Sequence, residues 1–371
     1  MMELILTLNL IFLLIYAISL SKLSSGLKKL RLPKKEDSKD SVSILISLHN
    51  EEGNIPGLLD SLSALTYPKA KFEVIFINDR SKDRTDMLLK QACSNNSNYE
   101  YIGISETPKG WGPKKYAVTK GVEKSKGSII LLTDADGRPQ VDWIQSMLGF
   151  FHSDTGMVLG YAPYENKGTI SSHLIRLEYF SQASIAAAST GMGNPATCVG
   201  TNLAYRKKVF TDLKGYGKFK HTVSGDDDLF LSRVRNETKW KINYAYSQSA
   251  HISNEAPKSW KKFYHQRLRF ASKSFKYPLK MILVLMLFYF FNVSMIAMGL
   301  LLFSNPVFWK IATLLFLFKV SSEYRFLRNT ADIFGDTHRW RLMIPASFLH
   351  IVYVLYFGAA SQFLSWKWIK D

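Results

Sequence analysis

Long apolar segments toward both ends of the chain limit most strongly what it can fold into. Residues 1–21 are almost wholly apolar, and so is much of 279–365, although the mean hydropathy of the whole chain is only -0.05. About twenty consecutive apolar residues suffice for a helix to cross a lipid bilayer. The sequence therefore predicts membrane helices at both ends and a globular domain, rich in charged residues, between them.

Basic residues crowd the segments beside these apolar runs. The formal net charge is +18 at a pI near 9.6, and Lys22–Lys35 and Lys258–Lys280 hold much of it. This pattern is typical of the cytoplasmic side of a membrane protein and suits anionic headgroups. Nucleic-acid binding is disfavoured because no recognised motif accompanies the charge. Two cysteines, Cys93 and Cys198, are too few for a disulfide framework and indicate a reducing compartment.

Four segments are candidates for crossing the membrane. The first, 1–21, is predicted to be an anchor with its N-terminus outside, so that the basic residues after it hold the globular domain in the cytoplasm. The second of the three C-terminal candidates is short and contains Lys310, which fits either a tilted span or a re-entrant segment. The C-terminal candidates are Leu279–Phe303, Pro306–Val320 and Ile344–Trp366.

Between the membrane segments, strand-like and helix-like runs alternate. Such alternation predicts a mostly parallel sheet with helices on both faces, and ligands bind beyond the carboxyl ends of its strands. The predicted strands are Val42–Leu48, Glu73–Asn78, Tyr99–Ile104 and Ser128–Thr133, and the predicted helices are Ile55–Leu65, Asp83–Ala92 and Lys114–Glu123.

Polar residues follow the first two predicted strands. Ser47 lies near the end of the first strand, and His49 and Glu51 follow it. These residues could line a nucleotide base, although a helix N-terminus capped by Asn50 explains them equally well. Asp79 follows the second strand and could accept a hydrogen bond from a base or ribose, or belong to an ordinary turn. Two consecutive strands that end in polar clusters favour the binding interpretation.

The strongest chemical signal is Asp134-Ala135-Asp136, which follows an apolar strand. Carboxylate oxygens are preferred ligands of Mg²⁺ and Mn²⁺, which bridge phosphate oxygens, and the alternative is a solvated turn. Lys114 begins a helix after a Gly-Pro turn, a position that suits phosphate, although most such lysines are surface residues.

Three consecutive carboxylates, Asp226, Asp227 and Asp228, precede an apolar helical run. They repel one another unless a cation or proton intervenes, and a helix N-terminus accounts for only one or two of them. A third is better explained as a base that deprotonates an attacking hydroxyl.

An amphipathic stretch, Trp260–Phe275, precedes the C-terminal apolar region. Gln266 and Arg269 share one helical face, the Arg269 fork suits a diphosphate, and Phe270 could stack on an acceptor. The stretch also has the character of a helix that lies in the membrane interface. Gly191–Ala196 matches a dinucleotide fingerprint by letter, but it follows a helical run, so an oxidoreductase is disfavoured.

Together these motifs resemble the family 2 glycosyltransferases of the GT-A fold, over Ser43–Phe275. The resemblance implies that Asp79, Lys114 and the residues after the first strand bind the nucleotide-sugar. It assigns Asn202 to the donor sugar and Gln266, Arg269 and Phe270 to the diphosphate and acceptor. The matching elements are His49-Asn50-Glu51-Glu52, Asp79, Lys114 to Ala117, Asp134 with Asp136, Gly200 to Arg206, Asp226 to Leu231, and Gln266 to Phe270 with Phe in place of Trp.

The resemblance also implies the catalytic base and the cofactor. Alignment of the family's Leu-x-Leu with Leu229-Phe230-Leu231 places the base at Asp228, with Asp227 and then Asp226 as alternatives. Asp136 and Asp134 would hold a divalent cation, Mg²⁺ or Mn²⁺.

These inferences predict an integral protein of the cell inner membrane that moves a hexose from a nucleotide-diphospho-sugar, with a UDP-sugar as the first choice, to a lipid or lipid-linked hydroxyl. The alternatives are a processive polysaccharide synthase and an inactive membrane scaffold that binds nucleotide-sugar. The predicted fold is an α/β GT-A domain on the cytoplasmic side with transmembrane helices before and after it. The predicted parts are a transmembrane helix at 1–21, a basic linker at 22–41, a GT-A domain at 42–257, an interfacial helix at 258–278 and about three transmembrane helices in 279–371.

Overall fold

The computed structural model describes residues 2–34, 38, 40–273, 277, 279–301 and 306–367, arranged in two compact units. The sheet unit comprises Gly26–Glu165 and Gln182–Glu255, and the helical unit comprises Met1–Ser25, Asn166–Ser181 and Ala256–Asp371. Some residues of the predicted segments 22–41, 258–278 and 279–371, among them Lys35 and Phe275, lie outside the described residues.

A seven-stranded sheet forms the centre of the sheet unit. Its strand order is β3-β2-β1-β4-β7-β6-β8; β1 to β4 are parallel, β7 is antiparallel to both neighbours, and β6 is parallel to β8. The mostly parallel sheet predicted from the alternating pattern is thereby confirmed. The strands are β1 (Val42–Leu48), β2 (Phe72–Asp79), β3 (Tyr99–Ile104), β4 (Ile129–Thr133), β5 (Arg138–Pro139), β6 (Thr155–Gly160), β7 (Leu203–Arg206), β8 (Lys241–Ala245) and β9 (Ile252–Ser253), of which β5 and β9 pair separately.

The central strands are apolar almost throughout because helices cover both faces of the sheet. All five residues of β4 are buried, as are six of the seven in β1. The first four strands and the first three covering helices end within two residues of their predicted limits. The covering helices are α2 (Ile55–Ser63), α3 (Thr85–Ser94), α4 (Pro113–Lys124), α5 (Trp143–Leu148), α7 (Lys207–Asp212) and α8 (Asp228–Glu237).

The strand order reverses beside β1. The chain builds outward from β1 to β2 and β3, and β4 then pairs with the other edge of β1. Because these strands are parallel, the carboxyl ends of β1, β2 and β4 meet at one edge of the sheet, where ligands of open α/β sheets bind.

Long helices make up the helical unit. They include α9 (Trp260–Ala271), α10 (Leu279–Leu301), α11 (Pro306–Phe334), α12 (Met343–Phe363), most of α1 (Met2–Leu27) and the first part of α6 (Ile170–Gly191). Among the residues that the structure describes, three helices are long and apolar enough to cross a membrane, at Glu3–Leu27, Leu279–Leu300 and Trp340–Phe363. The first continues beyond the predicted boundary at residue 21.

The predicted span at 306–320 lies within α11, which is not among these three helices. Helix α11 contains the charged residues Lys310, Lys319 and Glu323. Lys319 Nζ lies 2.6 Å from Glu323 Oε1 and forms an ion pair with it. The Tyr16 hydroxyl also donates a hydrogen bond of 2.6 Å to Glu323. These charges explain why α11 lacks the composition of a membrane span.

Candidate active site

The acidic turn after β4 is held between a lysine and a threonine. Lys114 Nζ donates to Asp134 Oδ1 at 2.7 Å, and the Thr201 hydroxyl donates to Asp134 Oδ2 at 2.6 Å. Ala135 is buried while Asp134 and Asp136 are half-buried, so the two carboxylates flank a residue that faces the core. Three separate parts of the chain thus meet at the carboxyl end of β4.

Lys114 also approaches a second carboxylate, Asp226 Oδ2, at 3.3 Å. Burial lowers the pKa of Lys114, but the negative charges of Asp134, Asp226 and Asp227 outweigh this effect and raise its pKa above the ordinary value. The lysine therefore carries its charge at neutral pH. It lies in the first turn of α4, where the helix dipole adds further positive potential.

The three consecutive aspartates have three different surroundings. Asp227 is the N-cap of α8, and its carboxylate accepts from the backbone N–H groups of Asp228 at 2.7 Å and Gly200 at 3.1 Å. Asp228 is buried and accepts from the Thr197 hydroxyl at 2.8 Å and the Cys198 N–H at 3.0 Å. Asp226 forms an ion pair with Lys114, which also pairs with Asp134.

The predicted nucleotide residues after β1 and β2 lie together. His49 Nδ1 is within hydrogen-bonding distance of the Asp79 carbonyl oxygen. The Asp79 carboxylate accepts two hydrogen bonds from Arg80, at 2.7 and 3.1 Å, and Arg80 has the left-handed backbone angle φ 58°. Ser47 pairs in register with Ile77 of β2. This arrangement keeps the ends of both strands close together.

The capping role considered for Asn50 is wrong. Helix α2 begins at Ile55 with Asn54 at its N-cap, whereas Asn50 has φ 51° in the turn before it. The Asn50 side chain instead accepts a hydrogen bond from the Lys82 N–H at 2.6 Å. Glu51, by contrast, accepts from the Asn54 side chain at 2.7 Å. Asn50 therefore joins the turn after β1 to the turn after β2. An asparagine suits this position because it tolerates the left-handed conformation.

Asn202 has a structural environment rather than an open one. It is 0% exposed, its side-chain N–H groups donate to the carbonyls of Tyr161 and Ala250 at 2.8 Å, and its oxygen accepts from Trp143 at 3.1 Å. Its neighbour Thr201, which sequence reasoning did not single out, is the residue that contacts Asp134. In the sequence, only the place of Thr201 in the Gly200–Arg206 element pointed to a role for it. The sequence does not show which side chain of a short 3₁₀ turn faces the acidic turn.

Gln266, Arg269 and Phe270 belong to α9 of the helical unit, whereas the aspartates above belong to the sheet unit. Arg267, between them, is 0% exposed and pairs with Glu178 at 2.6 Å. Its guanidinium lies 4.8 Å from the ring centroid of Phe263 and 5.4 Å from that of Phe270. Phe270 therefore packs against this buried arginine, and it also lies 5.3 Å from the guanidinium of Arg269.

The residues at the acidic turn fit a divalent cation only together with a substrate. In the part of the chain that the structure describes, no three His, Cys, Asp or Glu side chains are grouped so that they could hold a metal ion. Mg²⁺, however, is usually bound through one or two carboxylates plus substrate phosphates. The hard oxygens of Asp134 and Asp136 suit that arrangement.

Two family models match the chain. The model for glycosyl transferase family 2 matches residues 43–214, and the model for glycosyl transferase family group 2 matches residues 129–360, more than half of the chain. The chain belongs to this glycosyltransferase family. The matched range includes the turn after β4, the three aspartates and α9.

Several relatives in this glycosyltransferase family are similar in sequence. The probable glycosyltransferase YdaM of Bacillus subtilis is 28% identical over 72% of this chain and 65% of its own length. Glycosyltransferase AglE of Haloferax volcanii is 31% identical over 55% of this chain and 64% of its own length. Poly-beta-1,6-N-acetyl-D-glucosamine synthase of Staphylococcus aureus is 26% identical over 56% of this chain and 47% of its own length. The chain thus spans less than two thirds of the length of these relatives.

A solved structure confirms the predicted fold. The mannosyltransferase PcManGT from Pyrobaculum calidifontis, in complex with GDP-Man and Mn2+, has a TM-score of 0.60 at 15% identity, covering 98% of this chain and 99% of that chain. This likeness and the mixed seven-stranded sheet establish the GT-A fold of the family.

Proposed function

We propose that this protein is a membrane-bound, inverting glycosyltransferase that moves a hexose from a nucleotide-diphospho-sugar to a hydroxyl group of a lipid or lipid-linked acceptor. The observation that carries the proposal is the Lys114 ammonium, placed between Asp134 and Asp226 at the carboxyl end of β4. A fixed positive charge beside two carboxylates suits a reaction in which a diphosphate leaves and a hydroxyl loses its proton.

Asp226 is the base in this proposal, in place of the first choice from sequence, Asp228. The carboxylates of Asp227 and Asp228 accept hydrogen bonds from backbone N–H groups, which hold the start of α8 and the segment before β7. Asp226 instead lies 3.3 Å from the Lys114 ammonium, beside Asp134, where the diphosphate and the acceptor hydroxyl are proposed to meet.

The donor lies along the edge formed by β1, β2 and β4 in this proposal. His49 and Asp79 line the nucleotide end, and Lys114 and the N-terminus of α4 attract the diphosphate. The assignment of Gln266 and Arg269 of α9 to the diphosphate stays a prediction from sequence, because Arg presents a fork of donors. Asn202 supports this edge through its buried hydrogen bonds instead of touching the sugar.

Asp134 and Asp136 would hold a divalent cation, which neutralises negative charge on the departing diphosphate when it is bound. The relative PcManGT was solved with Mn2+, which supports the choice of Mn²⁺ or Mg²⁺. Removal of divalent ions by a chelator should then abolish turnover.

The chemical step uses Asp226 and Lys114. The Asp226 carboxylate takes the proton of the acceptor hydroxyl as its oxygen forms a bond to the anomeric carbon. The bond between that carbon and the diphosphate oxygen breaks, and the nucleoside diphosphate leaves with the electron pair. Because attack and departure occur on opposite faces, the anomeric configuration inverts. Lys114 stabilises negative charge beside the leaving group.

A lipid acceptor and a cytoplasmic catalytic unit complete the proposal. The three candidate membrane spans among the described residues support membrane anchoring. Lys28 and Lys29, which follow the first of these spans, favour the cytoplasmic side for the sheet unit. Helix α9, with aromatic and basic residues interleaved, suits the interface at which a lipid hydroxyl would be presented.

The first experiment measures release of nucleoside diphosphate by the purified full chain in lipid extract, with a panel of UDP- and GDP-sugars. Asp226→Asn, Asp227→Asn and Asp228→Asn form a matched series, because asparagine keeps the size and hydrogen-bond acceptor but cannot take the proton. Asp226→Asn should lower kcat by about 10²–10⁴-fold, the usual contribution of a general base. The other two variants should retain most turnover because an asparagine oxygen can still accept the backbone hydrogen bonds.

Loss of turnover in Asp228→Asn alone would return the base to the residue first predicted from sequence. Donor binding without turnover on any lipid acceptor would contradict the transferase proposal and favour an inactive nucleotide-sugar-binding scaffold.

A processive polysaccharide synthase is the second candidate, because one relative is named as a poly-N-acetylglucosamine synthase. Product length separates the two. A single added sugar favours the first proposal, and a ladder of long products favours the second.

A further inference from the structure

Five basic side chains gather in the helical unit, far along the chain from the acidic turn. We call this group the basic cluster: His173, Arg176, His338, Arg339 and Arg341. His173 and Arg176 lie one turn apart on α6, and the other three lie between α11 and α12. The His338 ring lies 5.5 Å from the ring of Trp340, the residue between Arg339 and Arg341. Burial, and then the positive charges of this group, lower the pKa of His173.

One carboxylate, Asp336, joins the two halves of the basic cluster. It pairs with Arg176 and lies 3.3 Å from His338 Nε2. The His338 ring, in turn, packs 4.2 Å from the ring centroid of Phe180 on α6. Asp336 therefore contributes one negative charge beside three arginines of the basic cluster, and the cluster keeps a net positive charge.

Among the residues that the structure describes, two arginines of the basic cluster have no ion-pair partner and the Nε2 of His173 has no hydrogen-bond partner. Arg339 and Arg341 are exposed and form no ion pair with any residue that the structure describes. His173 is only 7% exposed, and its Nε2 is buried without a hydrogen-bond partner among those same residues. A buried polar nitrogen without a partner costs free energy, so its retention calls for an explanation such as a ligand.

The basic cluster lies at the end of a candidate membrane span. That span begins at Trp340, next to Arg339. The Trp340 ring lies 5.4 Å from the ring of Tyr324 and 5.9 Å from the guanidinium of Arg328. Aromatic and basic residues of this kind mark the headgroup level of a bilayer. The anion that reaches the cluster most readily is therefore a lipid headgroup.

We propose that the basic cluster binds the phosphate group of an anionic lipid. Phosphate oxygens accept hydrogen bonds from the forked guanidinium donors of Arg339 and Arg341 and from an imidazole N–H. One lipid held in this way would fix the connection between α11 and α12 against the start of α6. This site is separate from the proposed transferase reaction, and a binding measurement tests it whether or not the protein proves to be a transferase.

The test is native mass spectrometry of the full chain in detergent, titrated with phosphatidylglycerol and, separately, with zwitterionic phosphatidylcholine. Arg339→Gln/Arg341→Gln should raise the dissociation constant for phosphatidylglycerol roughly 30-fold, since each arginine contributes about a factor of five. Lys239→Gln/Lys241→Gln removes the same charge from two exposed residues of the sheet unit and serves as the matched control. The control should bind as the unchanged protein does.

His173→Phe probes the site without altering its two exposed arginines. It should weaken phosphatidylglycerol binding about tenfold while leaving phosphatidylcholine binding unchanged. If the arginine pair and the lysine pair weakened phosphatidylglycerol binding equally, general attraction to positive charge would replace the proposal. Unchanged phosphatidylglycerol binding in both double variants would also overturn it. Competition by glycerol phosphate decides the source: displacement of the lipid assigns the site to phosphate alone, and failure to displace it assigns the site to phosphate carried by a lipid. Either result supports the phosphate chemistry.

Discussion

At the scale of residues, two adjacent lysines on α4 have different tasks. Lys114 faces Asp134 and Asp226, whereas Lys115 is 1% exposed and its Nζ donates to the carbonyls of Thr222 at 2.7 Å and Ser224 at 2.8 Å. Lys115 thus holds the loop that leads into Asp226. The helix periodicity separates the directions of neighbouring side chains by about 100°, so one lysine reaches the site and the next one supports it.

Lys114→Met should lower kcat/KM by about a hundredfold, the usual effect of losing one donor that stabilises developing negative charge. Steady-state kinetics with a saturating acceptor measures the change.

Lys120→Met is the control for that variant, because Lys120 lies on the same helix and forms an ion pair with the exposed Glu123. Equal values of kcat/KM for Lys114→Met and Lys120→Met would contradict the role proposed for Lys114.

At the scale of elements, α1 and α6 touch through their backbones. A Cβ on Gly191 would lie 2.0 Å from the Gly26 carbonyl oxygen, and one on Gly26 would lie 2.2 Å from the Ala188 carbonyl oxygen. Only glycine leaves room for such a crossing. The glycines of the Gly191–Ala196 segment, which resemble a dinucleotide fingerprint by letter, therefore include one that serves helix packing.

Gly191→Leu should reduce the free energy of unfolding by about 1–3 kcal/mol, the usual cost of overpacking, because the two helices must move apart. Thermal unfolding in detergent, followed by circular dichroism, measures the change. Gly299→Leu is the matched control, since a Cβ at Gly299 of α10 meets no atom within 4 Å. Equal melting temperatures for the two variants would show that the crossing tolerates a side chain.

At the scale of the whole molecule, the positive charge beside the apolar helices predicts which side of the membrane the sheet unit occupies. Ser97 is an exposed residue between α3 and β3, and Cys93 and Cys198 are the two native thiols. Ser97→Cys in a Cys93→Ala background should react with a membrane-impermeant maleimide in inverted vesicles and not in right-side-out vesicles. The opposite labelling pattern would place the sheet unit outside the cytoplasm.

The sequence by itself determined the fold class and predicted the location of the candidate site. Strand identity followed from continuous apolar runs such as Ile129–Leu132, because burial on both faces demands them. The alternation of strands and helices then placed His49, Asp79 and Asp134 at strand ends, and parallel strands must bring such ends to one edge. These features depend on periodicity and on short-range order, which the sequence displays directly.

The tertiary structure alone decided which side chains face one another. Asp226, Asp227 and Asp228 are identical in chemistry, and only the packing of α8 against the Thr197–Gly200 segment shows that the last two accept hydrogen bonds there. Only the structure shows that Thr201, and not Asn202, contacts Asp134. Only the structure likewise brings residues of α6 and of the α11–α12 connection together in the basic cluster. Side-chain direction in a turn and contact between distant segments depend on the whole fold, because no local pattern records them.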